Sequence, residues 1–327
     1  MKKVSPHRDI MIYDPRWGYR YQPNIVARTM HEGGGYLIKT NSQGFRCENE
    51  NISCNEGEKK ILILGDSYTA GDGVSNALRF SNKLEKKLKN TKVFNLGLSG
   101  SGTDQQLLIF NEYRETISHD LVILMFQIEN VKRNVLRKRV WIDRYGNKLN
   151  VPKPWYEIAE DAKLKLSGVP VKKPFPKETE PLSVLRLTDK LKIRLSQNHP
   201  ELKKFIQKIL RIQPLPEYNT ESKSEWKLLK KLLVEFKSVS KKPIIIVLYP
   251  TYQFIEGTAS YNQIRKRFEK LSKDHNLDCL HLLDGFQKLP VEKQNGLWFQ
   301  YDHHPTAFAH QVTSEIIHTY LKKKELD

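Results

Sequence analysis

Five aliphatic runs stand out against a polar chain: Ile61-Leu62-Ile63-Leu64, Val93-Phe94-Asn95-Leu96, Leu121-Val122-Ile123-Leu124-Met125-Phe126, Ile244-Ile245-Ile246-Val247-Leu248-Tyr249 and Leu280-His281-Leu282-Leu283. Short apolar runs bounded by turn residues predict strands covered on both faces, as in a parallel sheet. Between these runs the period lengthens to that of helices. Ala77, Phe80, Leu84 and Leu88 share one stripe, and a helix is predicted from the Thr103-Asp104 cap to about Thr116. Two more are predicted near 261–274 and, at the end of the chain, to about Lys323. Strand, loop and helix alternating in this order predict a doubly wound α/β domain.

Two stretches break the rhythm. Residues 1–58 lack helical periodicity and are rich in Tyr, Gly, Pro and Asn. Gly33-Gly34-Gly35 before Tyr36-Leu37-Ile38-Lys39 reads as a loop entering a strand, and Asn41-Ser42-Gln43-Gly44 as a turn. This predicts a β-rich extension laid on the main domain, with 47–58 as a polar linker. The main domain is then 59–327, interrupted at 133–240 by an insert. The insert opens with a possible hairpin around Tyr145-Gly146-Asn147, continues Pro- and Lys-rich to Pro181, and is expected to hold helices at about 183–196, 200–212 and 221–239. It reads as a mainly helical cap.

Composition narrows the class. Of the 327 residues, 39% are hydrophobic and 28% charged, which supports a packed core in a soluble chain. The longest apolar runs are far too short to span a bilayer, and no apolar core follows Met1-Lys2-Lys3 as a signal peptide requires. A cytoplasmic location is the expectation. The net charge of +18 invites a nucleic-acid reading, but the lysines are spread over helical faces and no nucleic-acid-binding motif accompanies them. No specific nucleic-acid partner is expected. Cys47, Cys54 and Cys279 lack metal-finger spacing and read as reduced thiols, with a Cys47–Cys54 bridge open if the protein is exported.

The chemistry gathers at the strand ends. Ser67 follows the first strand, Gly100 lies in the loop after the second, Asn130 follows the third, and Asp302-His303-His304 precedes the last helix. In a parallel sheet such ends line one rim, where ligands bind. A serine nucleophile needs a base, the base needs an orienting group, and the resulting oxyanion needs donors. His304 can be the base and Asp302 its partner. The backbone N–H groups of Ser67 and Gly100, with the Asn130 amide, can be the donors. Other readings exist for the same residues. Asn130 could simply cap a turn, Glu129 could be structural or on the pocket rim, and His310 a helix-surface or supporting residue. Asp302, His303, His304 and His310 could hold a metal, although their spacing matches no metal motif and Ser67 would go unused.

Gly65-Asp66-Ser67, Asn95-x-Gly97-x-x-Gly100, Asn130 and Asp302-x-His304-Pro305 resemble, in order, the four blocks of SGNH/GDSL hydrolases. The resemblance covers roughly residues 60–132 and 296–325, and 13–46 is similar to an N-terminal extension of some bacterial members. It implies a three-layer α/β/α flavodoxin-like fold. It also implies a serine esterase in which Ser67 attacks the ester, His304 and Asp302 activate it, and Ser67, Gly100 and Asn130 hold the oxyanion. No cofactor or metal is implied. The substrate expected is a small acyl ester, O-acetyl or another short acyl group on a carbohydrate-like molecule. Asp302 stands two residues before His304 and one before His303, where the family often has three, so His303 stays open as the base. Acyl transfer through the same Ser-His-Asp site, or a catalytically silent binding protein of the same fold, are the alternatives.

Overall fold

The computed structural model describes residues 10–46, 57–142, 147–176 and 214–326. The chain begins with two antiparallel hairpins, β1 (Met11–Asp14) with β2 (Gly18–Tyr21) and β3 (Val26–Thr29) with β4 (Tyr36–Lys39). Next come β5 (Lys59–Gly65), β6 (Thr91–Asn95) and β7 (Leu121–Gln127). Between and after them lie α1 (Ser67–Ala70), α2 (Phe80–Lys87), α3 (Thr103–Tyr113) and α4 (Asn130–Arg133). The insert then contributes β8 (Lys138–Ile142), β9 (Lys148–Pro152), β10 (Trp155–Ile158), β11 (Leu164–Ser167), β12 (Phe175–Pro176) and α5 (Ser224–Val239). The chain closes with β13 (Ile244–Tyr249), α6 (Tyr252–Ile255), α7 (Asn262–His275), β14 (Asp278–His281), α8 (Leu282–Phe286), α9 (Val291–Gln294) and α10 (Ala307–Lys323).

The main sheet runs β14-β13-β7-β5-β6, and every neighbouring pair is parallel. In chain order this is 2-1-3-4-5, so the order reverses between β5 and β7, the place at the carboxyl ends where sheets of this kind bind ligands. β7 and β13 are buried along their whole length, as their unbroken apolar sequences require. Each such side chain contributes on the order of 1.5–3 kcal/mol by leaving water. Phe110 of α3 stacks on Phe236 of α5, and Trp226 of α5 meets Phe268 of α7, which covers one face. On the other face α2 meets α10, with Phe80 stacked on His310. Three α/β/α layers result.

The predicted elements and the observed ones differ in two places. The fifth strand ends at His281, because Leu282 and Leu283 turn inward as the start of α8. Over 138–142 and 147–176 the insert carries strands: β8 pairs antiparallel with β9, as the predicted hairpin requires, although 143–146 of its turn fall outside the described residues, and β10 pairs with β11. Its helical character holds for α5, while the helices expected at about 183–196 and 200–212 fall outside the described residues. The strands are stabilised from the N-terminal side. A Cβ on Gly18 would sit 2.6 Å from the Pro152 carbonyl, and Tyr19 packs edge-on against Trp141 at 4.5 Å. Val171 also donates its N–H to the Pro15 carbonyl. The extension is thus β-rich, as expected, and wedged against the insert.

Candidate active site

The turn after β5 is dictated by Gly65 and Asp66. A Cβ on Gly65 would lie 2.0 Å from Thr69 Oγ1 and 2.8 Å from the Met125 carbonyl, so only glycine fits. Asp66 is the N-cap of α1, accepting the Tyr68 N–H at 3.0 Å through one oxygen and Arg133 Nη1 at 2.7 Å through the other. Ser67 is therefore the first residue of a helical turn, and its N–H has no acceptor within that turn. The loop beyond α1 is held from the N-terminal extension. The Arg46 guanidinium, fully buried, donates to the Gly71 and Val74 carbonyls and to Asn76 Oδ1. The Asn41-x-x-Gly44-Phe45-Arg46 segment exists to deliver it: Asn41 Oδ1 caps the turn, and Gly44 has φ +77° with no room for a side chain against the Tyr21 carbonyl.

The loop after β6 is pinned to the same turn. Asn95 donates to the Thr69 carbonyl at 2.8 Å and accepts the Gly97 N–H at 2.9 Å. A Cβ on Gly97 would come within 2.5 Å of the Ala70 nitrogen. Ser99 donates to Asp72 at 2.5 Å. Gly100 takes φ +79°, and its carbonyl accepts from Arg139 of β8, so the insert reaches the loop directly. Asn130 opens α4 at the end of β7, and its side chain is fully buried. Neither its amide nitrogen nor its oxygen has a partner among the described residues. A buried unpaired amide costs about 1–3 kcal/mol, so it is a place where an arriving oxygen would be welcomed.

His304 joins the two sides. Its Nε2 lies 2.8 Å from Ser67 Oγ and its Nδ1 2.6 Å from Asp302 Oδ2. An ionised carboxylate only accepts, so Nδ1 carries the proton, and the neutral ring then accepts from the Ser67 hydroxyl. Burial alone would lower the His304 pKa, but the Asp302 hydrogen bond and charge, helped by Asp72 and Asp66, raise it above the ordinary value. For Asp302, burial pushes upward, yet hydrogen bonds from His304 and His31 hold the carboxyl well below the usual range. Tyr68 Oη donates to the His303 carbonyl at 2.9 Å and fixes this loop.

The neighbouring candidates are placed elsewhere. His303, at φ +59°, stacks its ring on Tyr252 at 4.3 Å, and its ring makes no hydrogen bond to Ser67 or Asp302. Glu129 binds Gln127 within its own turn. His310 is not on a helix surface. It is fully buried, accepts the Phe80 N–H at 3.2 Å, and burial pushes its pKa down to about 3. Its ring lies in the α2–α10 contact, stacked on Phe80 at 6.0 Å. Among the described residues no group of three His, Cys, Asp or Glu is arranged to hold a metal. Cys279 is a free thiol that burial raises to about 12, while Cys47 and Cys54 lie outside the described residues.

One participant is not legible from the motif blocks. His31, in the loop between β3 and β4, places Nε2 2.8 Å from Asp302 Oδ2. Next to it, Glu32 accepts the Tyr301 N–H. The only signal in the sequence is a His-Glu pair directly before Gly33-Gly34-Gly35.

No protein-family model matches the chain, and no curated protein matches it. Among solved structures it is similar to a lipolytic protein of the G-D-S-L family from Veillonella parvula, at 11% identity over 81% of this chain and 99% of that one, with a TM-score of 0.43. A lipase/acylhydrolase from Enterococcus faecalis gives 14% identity over 81% and 96%, with a TM-score of 0.42. The psychrotrophic esterase EstA from Pseudoalteromonas sp. gives 13% over 83% and 100%, with a TM-score of 0.43. At this level of identity and superposition, the likeness by itself assigns the chain neither a family nor an activity.

Proposed function

We propose that the protein is a serine esterase that hydrolyses a small acyl ester through an acyl-enzyme on Ser67. The observation that carries this is the unbroken line from Ser67 Oγ through the His304 ring to Asp302, at 2.8 and 2.6 Å. As Ser67 Oγ bonds to the acyl carbon, its proton passes to His304 Nε2, and the ester carbonyl oxygen becomes an oxyanion. The donors proposed for it are the N–H groups of Ser67 and Gly100 and the Asn130 amide. The imidazolium, steadied by Asp302, returns the proton to the leaving alkoxide. Water activated by the same ring then releases the acid and restores the Ser67 hydroxyl.

The alcohol is proposed to be carbohydrate-like and the acyl group short. What supports this is the rim: exposed Tyr301 and the Tyr252–His303 stack stand beside Asp302 and His304. They offer flat apolar faces with polar tips, which suit a hydroxylated ring better than a lipid tail. The test is hydrolysis of chromogenic acetyl and longer acyl esters and of acetylated sugars. It is run with and without a serine-directed phosphonate, with the labelled peptide identified by mass. Labelling at a residue other than Ser67, or none with full hydrolysis, would end this reading.

The raised His304 pKa fixes the sign of the pH dependence. The base must be neutral, so kcat/KM is expected to fall tenfold per unit as pH drops below that pKa, with its midpoint above the ordinary value of about 6.5. Asp302→Asn removes the anion that raises it. That variant is expected to move the midpoint down and to lower the rate by about two to four orders of magnitude, since Asn can favour the wrong tautomer. A profile flat from pH 5 to 8 would exclude His304 as the base.

A further inference from the structure

The N-terminal hairpin grips the loop that carries Asp302. The ring of His31 sits edge-on to Phe299 at 4.4 Å and to Tyr36 at 5.9 Å, with its side chain only 7% exposed. Its Nδ1 lies 3.3 Å from the Gly33 N–H and accepts from it, so Nε2 carries the proton and donates to Asp302. The close approach depends on glycine: a Cβ on Gly33 would stand 2.6 Å from the Phe299 ring, and one on Gly73 3.1 Å from His31 Cε1. Glu32 adds a second tether through the Tyr301 N–H.

Asp302 needs such support. It lies in an irregular turn closed by the Phe299 and His304 backbones, and its side chain is 36% exposed. A half-exposed carboxylate on a turn is free to rotate toward water. The same oxygen, Oδ2, receives both Nε2–H of His31 and Nδ1–H of His304, so fixing it from one side fixes the ring on the other.

We propose that His31 is a positioning residue for ester hydrolysis: it locks Asp302, and through it the tautomer and aim of His304, making the N-terminal extension part of the active machinery. This rests on the Ser67–His304–Asp302 reading. The test uses variants of the full chain, with Ser67→Ala as the control for the underlying reading. His31→Phe keeps the ring against Phe299 and Tyr36 but removes the donor. His31→Gln keeps an N–H at about the reach of Nε2. Asp302→Asn supplies the background for a double-mutant cycle. The readouts are kcat and KM on the ester that the wild type hydrolyses best, the rate of phosphonate labelling at Ser67, and the melting temperature.

His31→Phe is expected to lower kcat and the labelling rate by about ten- to hundredfold, the worth of one hydrogen bond to a charged group, with KM changed less than threefold. His31→Gln is expected to recover most of the loss. In the Asp302→Asn background, His31→Phe is expected to add little, because its route is already cut. Wild-type kcat in a folded His31→Phe variant would overturn the proposal while leaving Ser67 chemistry intact. So would losses that simply multiply in the cycle, which compares variants at equal folded fraction even where His31→Phe lowers the melting temperature. Activity that survives Ser67→Ala would instead overturn the underlying reading.

Discussion

Replacing Ser67 with Ala is expected to remove ester hydrolysis by about four to six orders of magnitude while leaving the fold unchanged. The side chain is small and 4% exposed, and the Oγ hydrogen bond to His304 is the interaction it stands to lose. Alanine is a better helix former than serine, and the Asp66 cap on the Tyr68 N–H does not involve Oγ. His304→Ala is expected to cost about as much, and the double variant little more, because nucleophile and base act as one unit. The control is His303. Its ring stacks on Tyr252 in the rim proposed for the alcohol, so its replacement should leave most of the activity on a chromogenic acetyl ester, which lacks the sugar, provided the new residue accepts φ +59°. His303→Asn meets that condition better than His303→Ala, since asparagine tolerates the left-handed region. Circular dichroism and single-turnover kinetics with a chromogenic acetyl ester decide the matter. A folded Ser67→Ala variant with wild-type turnover would exclude Ser67 as the nucleophile, and a dead His303→Asn with an active His304→Ala would move the base to the neighbour.

What the sequence disclosed depended on how local the physics was. The strands β5, β7 and β13 are legible because burial on both faces leaves no polar position to confuse the period. Gly65 and Asn95 are legible as motif positions because a local reason holds for each, the clash of a Gly65 Cβ with Thr69 and the cap of Asn95 on the Gly97 N–H, both within four residues. Beyond the predicted hairpin of β8 and β9, the insert's strands β10 and β11 were missed because charged Glu157 and Lys165 stand at exposed positions among few apolar ones, and each strand runs for only four residues. His310 stayed open between a helix-surface and a supporting residue because a histidine in a helix gives no local sign of burial. His31 was illegible for a different reason. It meets Asp302 across 271 residues, and only the folded hairpin brings the two together.

A buried ion pair that no motif announced sets the other large effect: Lys153→Met is expected to destabilise the protein by about 3–5 kcal/mol. Lys153 Nζ is 1% exposed and bonds Asp104 Oδ2, the Leu136 carbonyl at 3.1 Å and the Pro154 carbonyl at 2.9 Å. Three N–H groups thus meet three acceptors, the condition under which a buried ammonium is tolerated. Asp104, equally buried, accepts the Gln105 N–H at 2.8 Å through its other oxygen. Burial pushes Asp104 up and Lys153 down, and each is opposed by its partner's charge. Removing the lysine leaves a carboxylate without a cation at the start of α3, just after the Gly100 loop, and frees β9 from it. The paired change Asp104→Leu with Lys153→Met removes both charges and is expected to recover more than half of the loss. Full recovery is not expected, because the Leu136 and Pro154 carbonyls stay without their donor. Urea unfolding of the two single variants and the double variant measures this. A Lys153→Met protein as stable as wild type, or a double variant less stable than either single one, would show that the pair does not hold the insert to the core.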